Sequence, residues 1–352
     1  MIPGRLLKRN EFYVFATIAV FVAVIEFQSG QFFTNNNIAD IARSMIVPGM
    51  LAMGLMMEII AGGIDVSFPS IAMLSMYSSI LIMRSMNYTG SAVFGFAVSA
   101  GIGLCLGIIN GILVHWLKLP AFIITLGTGS ICRGFTQAVL RSRNISILPP
   151  PVAALGKKYL FTVTNAESGL SSSLPVVFIF LIAVVIGTAF ILRYTILGRG
   201  IYALGGDSVA AARAGFNILG TELFVYGFMG ALSGFVGLTR TVLTGSCQPA
   251  SFIGYEMTII AAVVLGGTRI SGGTGTVTGT LLGTLLLTMV SNSLILLGIP
   301  TYWSKFTVGV MIVIGTGMSA WQALKGKTKL TSVVAERDVN TGEGAGRCGN
   351  GS

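Results

Sequence analysis

The chain has 352 residues, 53% of them hydrophobic and 10% charged, with 22 Lys+Arg against 12 Asp+Glu for a net charge of +10. Average soluble domains carry about 25% charged residues, so this chain lacks the polar surface that one or two water-soluble domains need, and its mean hydropathy of +0.84 points to lipid as its solvent. The positive excess is read as a topology signal and an attraction to anionic lipid, not as a nucleic-acid surface, because no basic patch with interleaved aromatics occurs.

A spanning helix takes about 20 residues. The apolar runs place spans at 12–28, 45–60, 68–84, 91–115, 120–140, 174–193, 219–240, 256–268, 276–297 and 303–323. Arg5, Lys8 and Arg9 precede the first, as in a signal peptide, but Glu26-Phe27-Gln28 offers no small-x-small cleavage site, so the run reads as a retained span. The fifth carries Arg133, and the eighth is short enough for a half-helix or a re-entrant piece. The whole predicts an all-α polytopic membrane protein of about ten helices, one membrane domain over 1–330, and a Gly-rich, polar, disordered tail over 331–352. With the N-terminus inside, both termini are cytoplasmic, 13 of the 22 Lys/Arg lie inside, and the segment 141–173 lies outside.

The 47 glycines suit such a bundle, since helices in lipid associate through small residues that let backbones approach. Gly103, Gly107 and Gly111 repeat on one helix face, as do Gly275, Gly279 and Gly283, and Gly230 with Gly234. One internal echo stands out: Gly62-Gly63-Ile64-Asp65-Val66-Ser67 and Gly266-Gly267-Thr268-Arg269-Ile270-Ser271, 204 residues apart. Paired Gly-interrupted hydrophobic segments point to transporters with internal repeats; chance similarity in a Gly/Ile-rich chain is the competing reading.

Cys105, Cys132, Cys247 and Cys348 show no C-x-x-C spacing and read as small apolar fillers. His115 is the only histidine and reads as interfacial, which argues against a catalytic triad or a His-based metal cluster. No Walker A motif is present, since Gly156-Lys157-Lys158 lacks the hydroxyl residue and Gly326-Lys327-Thr328 lacks the first glycine. Any ATP used must be hydrolysed by a partner.

Glu58, Asp65 and Glu256 are the main acids within apolar stretches, and intramembrane carboxylates are functional candidates by default. Asp65 with Ser67 sits at a helix break, where the carboxylate either caps a helix start or lines a polar pathway. Asn110 and Asn292 either bond between helices or line that pathway. Between two spans, Gly205-Gly206 end one element, Asp207 or Ser208 caps a short helix, and Gly215 stops it. Its small side chains would let another protein's groove approach closely; an ordinary connector is the alternative.

These residues resemble the permease subunits of bacterial ABC importers for ribose, other sugars and the sugar-derived autoinducer. The resemblance rests on Gly63-Ile64-Asp65-Val66-Ser67, on Pro120 through Gly127, on Gly198-Arg199 through Gly215, and on Gly254-Tyr255-Glu256 through Gly275. It implies an inner-membrane permease that pairs with a second permease subunit, docks on a cytoplasmic ABC ATPase carrying ATP and Mg, and receives solute from a periplasmic binding protein. It also implies that Asp207, Ser208, Ala210, Ala211, Arg213 and Gly215 form the coupling helix that docks on the ATPase. The chain departs from the family pattern at Ser208, where an acid is usual, and at Thr258, where an aspartate is usual. Nucleoside importers use related permeases and are the nearest alternative. A self-sufficient carrier or channel would have no need of a docking helix, and a membrane enzyme is disfavoured by the lone histidine.

Overall fold

The computed structural model describes residues 10–141, 143–164 and 171–296, together with Trp303, Phe306, Gly309, Val310 and Val313. The chain divides into two units, Met1–Val308 and Gly309–Ser352, and the twelve α-helices named here lie in the first. Of the predicted span 303–323 only those five residues are described, each helical, and the predicted tail 331–352 lies outside the described residues.

The architecture is all-α and polytopic. Helices α1 (Asn10–Ser29), α2 (Asn35–Ile60), α3 (Phe68–Ser85), α4 (Ala92–Leu117) and α5 (Ala121–Ala138) are followed by a short α6 (Pro150–Gly156). Then come α7 (Phe178–Tyr194), α8 (Ile196–Gly206), α9 (Ser208–Arg213), α10 (Ile218–Thr244), α11 (Tyr255–Leu265) and α12 (Val277–Leu296). Helices α1, α2, α4 and α10 are each long and apolar enough to cross a membrane, and α7 with α8 qualifies as a pair bent by 75°. The bend falls at Thr195, whose hydroxyl oxygen accepts from the Gly198 amide at 3.0 Å and so starts a new helix there.

Helix α2 is the centre of the bundle: every residue from Gly49 to Ile60 is buried. Apart from Glu58, which is fully buried with neither carboxylate oxygen hydrogen-bonded among the described residues, this stretch is apolar on all faces and can satisfy itself only inside a protein or a membrane, as it does against the core around Phe68, Met229 and Ile259. Its start is fixed by Thr34, whose side chain accepts from the Asn37 amide at 3.4 Å. Glu11 anchors α1, accepting from the hydroxyls of Thr276 at 2.7 Å and Thr278 at 3.2 Å at the start of α12.

The glycine repeats form two seams. On α4, Gly103 and Gly107 lie against Gly230 of α10, and Gly234 lies against Ser99, so closely that an added Cβ would strike the facing backbone. The Ser99 hydroxyl donates to the Gly234 carbonyl at 2.6 Å across the same seam. On α12, Gly279 meets Gly266 and Gly283 meets Ala262 of α11 in the same way.

The segment expected to lie outside the membrane holds something the sequence reading did not anticipate. Strands Tyr159–Thr164 and Ser171–Pro175 pair antiparallel, with Thr162 opposite Ser173 and Val163 opposite Ser172. β-Branched and aromatic residues make Tyr159–Thr164 a good strand, and the Ser run supplies an otherwise unremarkable partner. Nearby, Ile145 pairs through its backbone with Cys247. Burial pushes the Cys247 thiol up to about 12. At pH 7.5 its thiolate fraction should therefore fall on the order of a thousandfold below that of an ordinary cysteine. N-ethylmaleimide should modify Cys247 only after denaturation, as read by mass spectrometry of peptides from native and unfolded protein.

Candidate functional site: a glycine junction and a polar cavity

The two echoing segments are both helix ends, closed by the same hydrogen bonds. At the end of α2, the Gly62 and Gly63 amides donate to the carbonyls of Ile59 (3.0 Å) and Glu58 (2.9 Å). At the end of α11, the Gly267 and Thr268 amides donate to those of Val264 (2.9 Å) and Val263 (3.3 Å). Each is a Schellman closure, and each requires a left-handed residue, supplied by Gly62 and Gly267, both at φ +93°. Gly62 thus corresponds to Gly267 and not to Gly266: the structural equivalence runs one residue later than the sequence echo, because the position that needs glycine sets the register.

The two ends meet. The Gly273 amide donates to the Ile60 carbonyl at 2.9 Å, so backbone from the second half completes the helix end of the first. Gly205, at the end of α8, is wedged between them: a Cβ there would fall on the Ile60 carbonyl oxygen and lie 2.7 Å from the Gly273 nitrogen. The Gly272 site presses on Gly62 and Gly205 from the other side.

From this junction the chain passes into α9. The Asp207 carboxylate accepts from the Val209 amide at 2.9 Å and the Ala210 amide at 3.0 Å, which makes Asp207 the cap. Ser208, Ala210 and Arg213 are exposed, whereas Ala211 is buried and faces the bundle. The sequence reading passed over Val209 and Ala212, which are exposed beside them. Gly215, at φ +88°, ends the element in a conformation that other residues rarely adopt.

Asp65, Ser67 and Asn110 come together. The Ser67 amide donates to Asp65 Oδ1 at 2.5 Å, and Asn110 Nδ2 donates to Ser67 Oγ at 2.8 Å, all three residues being buried. Thr125 joins them by accepting from the Val66 amide at 3.2 Å. This cluster holds the extended link between α2 and α3 against α4 and α5. Thr125 lies in the Pro120–Gly127 stretch, but nothing in the sequence alone tied it to Asp65. His115 Nδ1 stands 2.7 Å from Glu222 Oε2 at the same end of the bundle.

Glu256 and Asn292 lie elsewhere. Glu256 stands 3.9 Å from Arg133. Asn292 lines a cavity of about 400 Å³ between α2, α10, α11 and α12, near the opposite end of α2 from the junction. Its Nδ2 donates to Ser44 Oγ at 3.1 Å. Thr258, the departure noted from the family pattern, is also on the cavity wall, with Tyr255, Thr288 and Ser291. Two arginines complete the wall, Arg43 and Arg240. Arg240 is the last residue of the predicted span 219–240 and Arg43 lies just before the span 45–60, so neither stands out inside an apolar run.

Comparison with known proteins gives a consistent set of relatives. A family model described as the permease component of branched-chain amino acid transport systems matches residues 37–315. The chain is 30% identical over 306 residues to the D-allose transport system permease protein of Escherichia coli (strain K12), covering 86% of this chain and 90% of that one. It is 33% identical over 313 residues to the ribose import permease protein of Haemophilus influenzae, covering 88% and 93%. To the autoinducer 2 import system permease protein of Photorhabdus luminescens it is 28% identical over 283 residues, covering 80% and 81%. No solved structure matches the chain.

Proposed function

The chain belongs to the family of transport-system permease components, and from that premise we propose that it is the membrane-spanning subunit of a binding-protein-dependent ABC importer for a sugar-like solute. The relatives named above import allose, ribose and autoinducer 2, and the cavity wall, rich in hydroxyl and amide groups, suits a polyhydroxylated solute better than an apolar amino acid. In this reading the subunit sits in the bacterial inner membrane with α9 on the cytoplasmic side, paired with a second permease subunit. A periplasmic binding protein delivers solute, and an ABC ATPase binds and hydrolyses ATP with Mg. The permease makes no covalent bond to the solute and works by changing which side its cavity faces.

The observation that carries the proposal is the continuity from α9 to the glycine junction. The exposed face of α9 offers small side chains and Arg213 to a docking groove. Through Gly205 a push on α9 reaches the closed end of α2 and the link from α11 to α12, three helices that all line the cavity. Tight packing passes such a displacement on instead of absorbing it.

Arg213→Glu tests the assignment. In membranes bearing the complete importer, uptake of labelled D-ribose, D-allose, uridine, D-gluconate and 6-phospho-D-gluconate by the parent establishes the carried solute. Arg213→Glu should then lower its uptake by about tenfold or more, through charge reversal at the docking face, with unchanged amounts of inserted protein. Uptake at the parent rate would remove α9 from the docking interface. Gly215→Arg is the poorer probe, because its positive φ strains the turn whatever docks there.

A further inference from the structure

We propose that the cavity between α2, α10, α11 and α12 selects a polyhydroxylated solute bearing an anionic group, a sugar acid or a sugar phosphate, over a neutral sugar. This deepens the importer reading and rests on it.

The argument is one of charge. Among the described residues, Arg43 and Arg240 both line the cavity and no carboxylate does. Among the described residues neither guanidinium has a carboxylate within ion-pairing distance. Arg43 Nη2 donates to the Leu243 carbonyl at 3.1 Å. Arg240 donates from Nε to Ser251 Oγ and from Nη1 to the Tyr255 hydroxyl, each at 2.9 Å, and lies over the rings of Phe252 and Tyr255 at 5.3 and 5.0 Å. All these partners are neutral, so they position the guanidiniums and leave the charge uncompensated. The carboxylates nearest in sequence stand off the wall, Asp40 accepting from the Ser172 hydroxyl at 3.1 Å and Glu256 beside Arg133.

A concave wall of one sign, backed by low-dielectric protein, focuses its field into the cavity and concentrates counter-charged solutes. Each guanidinium retains donors in the planar fork that matches carboxylate and phosphate oxygens. Tyr255, Thr258, Ser291 and Asn292 supply the hydroxyl and amide groups that a polyol requires. A volume of about 400 Å³ accommodates one sugar unit.

The test reads the charge selectivity of the cavity directly. Ser291→Cys, in a Cys105→Ser, Cys348→Ser background, places a thiol on the wall of the complete importer reconstituted without nucleotide. Its labelling rates with the anionic methanethiosulfonate ethylsulfonate and the cationic methanethiosulfonate ethyltrimethylammonium are each normalised to the rate with a free thiol. The anionic reagent should be favoured by about tenfold or more, and Arg43→Gln should reduce that preference severalfold. Arg43 is the variant of choice because Arg240 also braces Ser251 and Tyr255; monodispersity on gel filtration confirms that the variant is folded. D-gluconate or 6-phospho-D-gluconate at millimolar concentration should slow labelling, while D-glucose should not. Protection by both identifies the carboxylate as sufficient, and protection by the phosphate ester alone identifies phosphate. A normalised ratio at or below one, a ratio unmoved by Arg43→Gln, or equal protection by D-glucose overturns the proposal. The importer reading is untouched by such a result, since it is tested by uptake in the parent and in Arg213→Glu and not by the charge preference of the cavity.

Discussion

Gly107→Leu should leave little folded protein, while Gly101→Leu, on another face of the same helix, should be tolerated. A Cβ at Gly107 would strike the Tyr226 carbonyl oxygen and lie 3.0 Å from the Gly230 Cα, both of them backbone of α10. Backbone cannot rotate out of the way as a side-chain tip can, so α4 and α10 would have to separate along the whole seam. Overpacking a well-filled core costs about 1–3 kcal/mol where side chains can adjust, and the cost should exceed that here. It is a large share of the roughly 5–15 kcal/mol by which folded proteins are stable. At Gly101 an added Cβ meets nothing within 4 Å, so the leucine would point into open space. Thermal unfolding of the detergent-solubilised protein by intrinsic fluorescence checks the pair. Equal midpoints for the two variants would show that the seam is not what holds α4 in place.

Gly205→Ala should separate ATP hydrolysis from solute movement, and Gly206→Ala should not. The methyl group at 205 would displace the Ile60 carbonyl and the Gly273 amide that bonds to it, whereas at 206 it meets nothing within 4 Å. Both substitutions sit at the end of α8, so their difference isolates the contact from any general effect on helix propensity. In the reconstituted importer, Gly205→Ala should keep its ATPase rate within about twofold while uptake falls by tenfold or more, a loss equivalent to about 1.4 kcal/mol in the coupling step. Uptake in proportion to ATPase activity would mean that force reaches the cavity by another route.

Much of the fold was legible in the sequence because the solvent is lipid. A segment that must be apolar and about 20 residues long to span a membrane announces itself. The predicted spans 12–28, 68–84, 91–115 and 276–297 accordingly correspond to α1, α3, α4 and α12 with ends displaced by three residues or fewer. The four-residue glycine spacing on α4 and α12 marked the two seams, though not which helix each would meet. The bend at Thr195 was not legible, because its signal is one hydroxyl capping one amide. The hairpin was missed because Ser171–Ser173 reads as loop until a strand lies beside it.

The candidate site was legible in part. Asp65, Ser67 and Asn110 were singled out separately for their polarity in apolar surroundings, and only the fold shows that they share one hydrogen-bonded cluster. Arg43 and Arg240 lie far apart in sequence, near the ends of separate spans, so their shared cavity is a property of packing that no local pattern carries. Gly205 carried the opposite difficulty. Its role as a helix terminator was plain, and that sufficient local explanation concealed a tertiary contact with residues before and after it in the chain.

The bond from Gly273 to Ile60 also fixes an order of assembly. As the chain leaves the ribosome, α2 is inserted early, with the last turn of the central helix still missing a partner for its carbonyl. That partner emerges only after α3 through α11 have been made. Final closure of the first half therefore waits for the second, and a nascent chain halted before Gly273 holds its central helix in an unfinished state that the membrane alone cannot complete.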